Sequence, residues 1–291
     1  MPVMTSAPLH PVRRPGGSPV AAPVGALLRA WRQRRRRSQL DLALDAEVSA
    51  RHLSFVESGR ARPSREMVLR LAETLDVPLR ERNALLLAAG FAPVHAEQPL
   101  DGPGMRAARG IVERILRAHG ANPALAVDRH WHMVAANEAV PPLLAGVADA
   151  ALLRPPVNVL RLSLHPGGLA PRIANLPDWR AHVLDRLRRQ AEASADPALA
   201  ALLAELVALG SAGEAAGRGP FQPGDGIAVP LELDTAAGRL SLISTTTVFG
   251  MPTEVTVSEL AIEAFYPVDE ASERRLRQLQ RSAPGGDGAG A

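Results

Sequence analysis

The sequence predicts two domains of different class: an all-α domain of five short helices, then an α+β domain built on an antiparallel sheet. Three observations carry this. The chain has 291 residues, enough for two domains of ordinary size. Its charge is divided, with thirteen Arg against eight acids from Val24 to His95 and eighteen against twenty-two from Ala96 to the end. The hydrophobic period also changes, from helical before Gly120 to partly alternating after it.

Composition sets further bounds. There is no cysteine, which excludes disulfides, thiolate zinc sites, iron–sulfur clusters and cysteine nucleophiles, and agrees with a reducing compartment. No charged, apolar, small-residue succession opens the sequence and no run of about 18 apolar residues occurs. The expected location is therefore cytoplasmic, with no membrane partner. All the cations counted as Lys or Arg are Arg. A basic front half joined to an acidic remainder favours a polyanion-facing domain attached to one with another task.

Residues 1–23 are Pro, Gly and small polar residues without periodicity and read as a disordered tail. From Val24 the pattern is helical, with Leu27, Leu28 and Trp31 on one face, followed by Arg34 to Arg37. A second helix starts at Ser38 and Gln39, turns Leu42, Ala43 and Ala46 inward, and stops near Glu47. A third follows Ser49, a favourable N-cap, with Leu53 and Val56 at i, i+3 spacing. Gly59 ends it, and "ARPS" leads to Ser64, which caps a fourth helix with Met67, Val68, Leu71 and Leu75 on one stripe. The fifth runs from about Leu79 to Ala89 and closes at Gly90. These five occupy a domain of residues 24–95.

"HAEQPLDGPG" reads as a linker, placed at 96–104, and the second domain as 105–280. It opens with a helix from about Met105 to Ala118. Two strand-like runs follow, Ala124 to Asp128 and His132 to Ala136, then helices from about Asp178 to Ala193 and Pro197 to Leu209. Ile227, Val229, Leu231 and Leu233 alternate, Ala237-Gly238 can turn the chain, and Leu240 and Leu242 resume the alternation, which signals a hairpin. Pro230 cannot donate to a ladder, so its strand is an edge or bulged there. "ELAIEAFYP" supplies a last strand, and residues 281–291 read as a tail.

The joint between the second and third helices carries the first functional signal. Two helices crossing steeply need a small residue at the contact, and Ala43 stands there, with Val48 and Leu53 burying the joint. Ser49 caps the third helix and turns its first turn outward. Ala50 and Arg51 would then approach base edges, with Ser54 and Phe55 one turn on, and His52 and Ser49 would belong to the same DNA-binding set. Arg51 can pair bidentately with guanine, while Ala50 and Phe55 offer apolar contact to a thymine methyl. Gln39 and the Arg-rich surroundings, Arg60 and Arg62 included, would hold phosphates and set register. The alternative is an ordinary helical hairpin with solvated charges.

Residues 24 to 91 resemble the lambda-repressor-like, or xenobiotic-response-element, helix-turn-helix family of bacterial regulators. The resemblance lies in Ser38-Gln39, Leu42-Ala43, Val48-Ser49, Leu53-Ser54, Glu57, Gly59, Pro63-Ser64 and "LRLAETLDVP". Two positions depart from it: Glu47 replaces the usual glycine at the joint, and Arg37 a bulky apolar residue. A left-handed Glu47 costs on the order of 1 kcal/mol, tolerable where packing holds the turn.

In the second domain Trp131, Asn137, His165, Asn175, Trp179, Phe265 and Tyr266 stand out in a chain poor in aromatics. They read either as core residues, caps and turns, or as the lining of an apolar cavity with a few polar handles. "DRHWHMVAAN", "LRLSLHPGGLAPRIANLPDWR" and "TTTVFGMPTEVTVSELAIEAFYPVDEAS" resemble the ligand-binding domain of MmyB-like transcription regulators, a PAS-like fold. That resemblance implies a fatty-acid-like or other hydrophobic ligand. His165, Arg172, Asn175 and Trp179 match its central motif. Under this reading Arg172 or His165 binds a carboxylate, Trp131, Trp179 and Phe265 line the acyl slot, and Asn137 joins the set.

The combined expectation is a ligand-responsive regulator that binds a double-stranded DNA operator and a small hydrophobic ligand, as a homodimer, because one helix-turn-helix reads only a few base pairs. Ligand would shift dimer geometry and so operator affinity. Two other readings of the second domain stay open: a ligand-free dimerisation module, and a cofactor sensor with His130, His132 or His165 on a haem. An enzyme is not expected. No Gly-x-Ser-x-Gly elbow, HExxH helix or phosphate-binding Gly loop occurs, so no catalytic residue and no metal ligand is assigned.

Overall fold

Three serines set the frame of the first helices. In the computed structural model, which describes residues 22–210 and 228–282, Ser38, Ser49 and Ser64 each accept a hydrogen bond at a helix start, from the N–H of Asp41, His52 and Met67. Asp41 returns the bond to Ser38 and completes a capping box. The chain divides into two units. One holds the described residues up to Val77 with Glu81–Pro93, and the other holds Pro78–Arg80 and the chain from Val94 onward.

The first unit is built from α1 (Val24–Arg34), α2 (Gln39–Asp45), α3 (Ala50–Glu57), α4 (Arg65–Thr74) and most of α5 (Leu79–Ala88). Its core holds Leu28, Trp31, Leu42, Leu53, Leu71 and Leu86. Ala43 is buried at the α2–α3 joint as expected, and Glu47 takes the left-handed conformation there with φ 51°. The Val48 N–H reaches back to the Ala43 carbonyl at 2.9 Å and closes the turn. Gly25 has a reason not visible in the sequence: a Cβ there would lie 2.1 Å from the Val56 carbonyl oxygen, so α1 and α3 touch through backbone.

The second unit is α+β. Its elements are α6 (Arg106–Ala118), β1 (Ala124–Val127), β2 (Met133–Ala136), α7 (Pro141–Leu144), α8 (Val159–Leu164), α9 (Leu176–Ser194), α10 (Pro197–Gly210), β3 (Leu231–Thr235), β4 (Gly238–Val248), α11 (Val255–Ser258), β5 (Ala261–Pro267) and α12 (Glu270–Arg281). The strands form one antiparallel sheet in the order β2-β1-β5-β4-β3. Both faces are covered. Leu125 and Val127 join Leu187, Leu206, Leu233 and Leu242 on one side, while Ala124 and Ala126 meet Val112, Leu116 and Ile262 on the other.

Several expectations need adjustment. Residues 96–104 are not a free connector: Ala96 bridges Glu254, Thr256 donates to the Gln98 carbonyl at 2.6 Å, and Pro103–Met105 form a 3-10 turn with Met105 buried. The hairpin turns at Ala236-Ala237, with Gly238, at φ 105°, already paired to Thr235. β3 is an edge strand and starts just past Pro230, as the missing N–H requires. α7, α8, α11 and α12 were not anticipated. The expected tails lie outside the described residues at 1–21 and 283–291, as does Ile227. Among the described residues no helix is long and apolar enough to cross a membrane.

Candidate DNA-reading helix and ligand cavity

On α3, Arg51 and His52 are exposed, Ser54 and Phe55 are half-buried, and Arg60 and Arg62 are exposed just beyond its end. The Phe55 ring is flanked by two guanidinium groups, Arg51 at 5.5 Å and Arg60 at 5.9 Å from its centre. The ring therefore gathers two cations on one patch. Ala50 is half-buried against the core. Ser49 has its hydroxyl at the helix start, 3.4 Å from the His52 N–H.

Gln39, half-buried at the start of α2, is engaged within the unit. Its amide nitrogen donates to Glu57 at 2.7 Å, and Arg32 grips the same carboxylate at 2.7 and 2.8 Å. The third arm of Arg32 donates to the Arg37 carbonyl at 2.8 Å. One buried carboxylate thus ties α1, the start of α2 and the end of α3, and fixes how α3 is presented. Burial pushes the Glu57 carboxyl up, but the bonds from Arg32 and Gln39 outweigh it and hold it below the usual glutamate range. The same bond raises Arg32.

The second unit encloses an apolar cavity of about 110 Å³ between the sheet and α7–α9. Trp131, Trp179 and Phe265 line it, together with aliphatic side chains such as Leu160, Val183 and Leu242. The Trp131 indole donates to Gln190 at 2.7 Å and that of Trp179 to Ser163 at 2.9 Å, so both rings have fixed faces.

Asn137, His165, Arg172 and Asn175, expected at the ligand site, are not in this lining. Their side chains bond to backbone, and Asn137 and Arg172 also line a second, wider pocket of the same unit. Asn137 accepts from the Ala124 N–H at 3.0 Å and donates to the Asn122 carbonyl at 2.8 Å. His165 accepts from the Gly167 N–H at 3.0 Å. Arg172 donates to the carbonyls of Asp234, Leu143 and Ala145 at 2.9, 3.1 and 2.7 Å. Burial lowers its pKa, with Asp234 opposing. Asn175 donates to the Pro230 carbonyl and accepts from the Glu232 N–H, pinning the start of β3. Each satisfies groups that would otherwise be orphaned.

The polar groups that do reach the cavity are Arg186, Glu263, His182, Ser163 and Ser244. Arg186 pairs bidentately with the buried Glu263, also donates to Thr246 at 2.7 Å, and lies over the Trp131 ring. His182 sits 5.7 Å from Trp179, ring centre to ring centre, and burial, with Arg186 and Arg189, lowers its pKa and so favours its neutral form. The sequence held one signal for this group: Glu263 is in strand phase with Phe265, so a carboxylate shares the inward face with an aromatic ring. Since His130, His132 and His165 do not line the cavity, they do not fit a haem held there.

Residues 108–279 match the family model described as MmyB-like transcription regulator ligand binding domain, and residues 28–82 match the one described as Helix-turn-helix. No curated protein matches the chain.

Proposed function

The chain belongs to the MmyB-like transcription regulators, with a helix-turn-helix ahead of its ligand binding domain, and we propose that it is a homodimeric, cytoplasmic regulator controlled by a small hydrophobic acid. The observation that carries this is the chemistry of the cavity wall, apolar almost throughout, with one cation, Arg186, placed among the aromatics. An alkyl or acyl body suits the leucines and tryptophans. A carboxylate head would share or take over the Arg186 guanidinium now held by Glu263, beside His182 and the Ser244 hydroxyl.

Size adds a condition. The cavity, at about 110 Å³, is smaller than the roughly 150 Å³ that holds a benzene molecule in an engineered protein core. A long acyl chain would have to part the walls, so ligand binding would come with a change of shape in the second unit. That change is the means by which ligand would alter half-site geometry, and with it operator affinity. The same small volume favours a second reading, in which the domain dimerises without a ligand.

Native mass spectrometry of the purified protein, before and after denaturation, decides between them. Release of a small hydrophobic acid from a dimer is the expected result. A dimer that carries nothing and gains no thermal stability from added medium- or long-chain acids would replace the ligand reading with the dimerisation one.

A further inference from the structure

The β1–β2 hairpin gathers metal-binding chemistry outside the cavity. One ligand atom from each of Asp128, His130 and His132 lies within 4.8 Å of the other two. Asp128 Oδ2 faces His132 Nδ1 at 3.1 Å, and Asp196, between α9 and α10, stands 2.9 Å from His130 Nε2. Arg129 is the neighbouring cation, 3.6 Å from Asp196 and 3.6 Å from Glu259. The side chains of His130 and His132 are 26% and 30% exposed, open enough for an ion to reach.

The loop is held in this form by bonds that need no ion. Asp128 Oδ1 accepts from the N–H groups of both His130 and His132, at 2.8 Å each, which leaves Oδ2 for the imidazole. Asn158 donates to the His130 carbonyl at 2.8 Å, and Gln190 to that of Arg129 at 3.2 Å. Trp131, at φ 67°, adopts a left-handed conformation costly for a bulky residue, and its indole is fastened in the cavity wall. The two flanking histidines are thereby set outside the cavity, on either side of a residue that closes it. Such a shell is already ordered before it binds.

We propose that Asp128, His130 and His132 form a binding site for one divalent transition-metal ion of the zinc class, with Asp196 fixing the His130 ring. Two imidazoles and a carboxylate, in a chain without thiolates, suit Zn(II), Co(II) or Ni(II) and not Ca(II) or Mg(II), which take oxygen shells. Metal–ligand bonds of about 2.0–2.1 Å put tetrahedral ligand atoms roughly 3.4 Å apart. The present cluster, with its ligand atoms within 4.8 Å of one another, would have to close to that spacing by small side-chain rotations. The ion would replace the hydrogen bond between His132 Nδ1 and Asp128 Oδ2, with any proton on Nδ1 passing to Nε2 or to solvent. It would tighten the tip that carries Trp131, giving the cavity a second input beside its ligand.

The test uses the untagged full-length chain, stripped with a chelator and titrated with Co(II) and then Zn(II). The expected result is one ion per chain, visible Co(II) absorption of a low-symmetry nitrogen–oxygen site, and its displacement by Zn(II). His130→Gln and His132→Gln should each weaken binding at least about tenfold, while His165→Gln leaves it unchanged. Absence of saturable binding at micromolar ion, or equal binding by the His130→Gln, His132→Gln double variant, overturns the site. Should those variants not fold, X-ray absorption of the zinc-loaded natural chain decides: two imidazoles in the shell support the proposal, and fewer overturn it.

Discussion

Arg186 on α9 donates both arms of its guanidinium to Glu263 on β5, at 3.0 and 2.6 Å, across 77 positions of sequence. The pair stands in the wall of an apolar cavity, with the Arg186 Cζ 4.5 Å from the centre of the Trp131 ring. Its two charges cancel. Under the proposed function an incoming carboxylate would have to share Arg186 with Glu263 or displace it, so this pair would set selectivity for charged heads.

Glu263→Gln should leave the Arg186 charge uncompensated at the cavity. The second unit should lose about 1.5–3 kcal/mol of stability, the range for a hydrogen bond to a charged group. Affinity for carboxylic acids should rise while affinity for the matching alcohols does not. Calorimetric titration with an acid and its alcohol checks this, and equal changes for both would remove Arg186 from the head-group role.

Val183→Phe should fill much of the cavity and block hydrophobic ligands. Because the added ring enters existing space, the loss of stability should stay within the 1–3 kcal/mol seen for overpacked cores. Thermal denaturation with and without added acid separates lost binding from lost folding.

Arg51→Ala should remove discrimination at one base pair of each half-site, about 1–3 kcal/mol, with stability changed by less than about 0.5 kcal/mol. Binding to a randomised operator library reads it directly. Unchanged preference would leave Arg51 as a phosphate contact or as a partner of the Phe55 ring.

Glu57→Ala should be the most damaging single change in the first unit. It strands the Arg32 cation, whose side chain is 11% exposed, and frees Gln39, at a cost of about 3–5 kcal/mol. Chemical denaturation followed by the far-ultraviolet helix signal would show an early loss of the first unit, with the second intact.

The same carboxylate predicts an acid limit. Its pKa is depressed in the folded state, so its contribution is complete above the ordinary glutamate value of about 4.5 and declines as pH falls through the depressed one. Urea midpoints of the first unit should be flat near neutrality and fall below that pH. In Glu57→Gln the fall should be shallower.

What was legible in the sequence was local. Ser38, Ser49 and Ser64 act on N–H groups three residues away, and Gly59 and Gly90 adopt the positive φ that a helix end requires, so one short window holds each signal. The aromatic lining was also legible, because Trp131, Trp179 and Phe265 are large apolar side chains with few places to go. The polar site was not. Arg172 has partners 27 to 62 residues away, and Asn175 has partners 55 and 57 residues away, so spacing gave no way to tell a backbone brace from a ligand contact. α8 was hidden by the prolines around it. α12 had clear marks, an Asp269 cap and pairs from Glu270 to Arg274 and Glu273 to Arg277, overshadowed by the glycine-rich end that follows.

The placement of the three tryptophans makes the protein its own optical instrument. Trp31 lies in the first unit beneath the guanidinium groups of Arg34 and Arg35, while Trp131 and Trp179 both face the cavity. Replacing Trp31 with phenylalanine would leave an emission spectrum that comes from the cavity walls alone. Entry of a small molecule, or water leaving that space, would then be read as a change of colour and intensity with no attached dye.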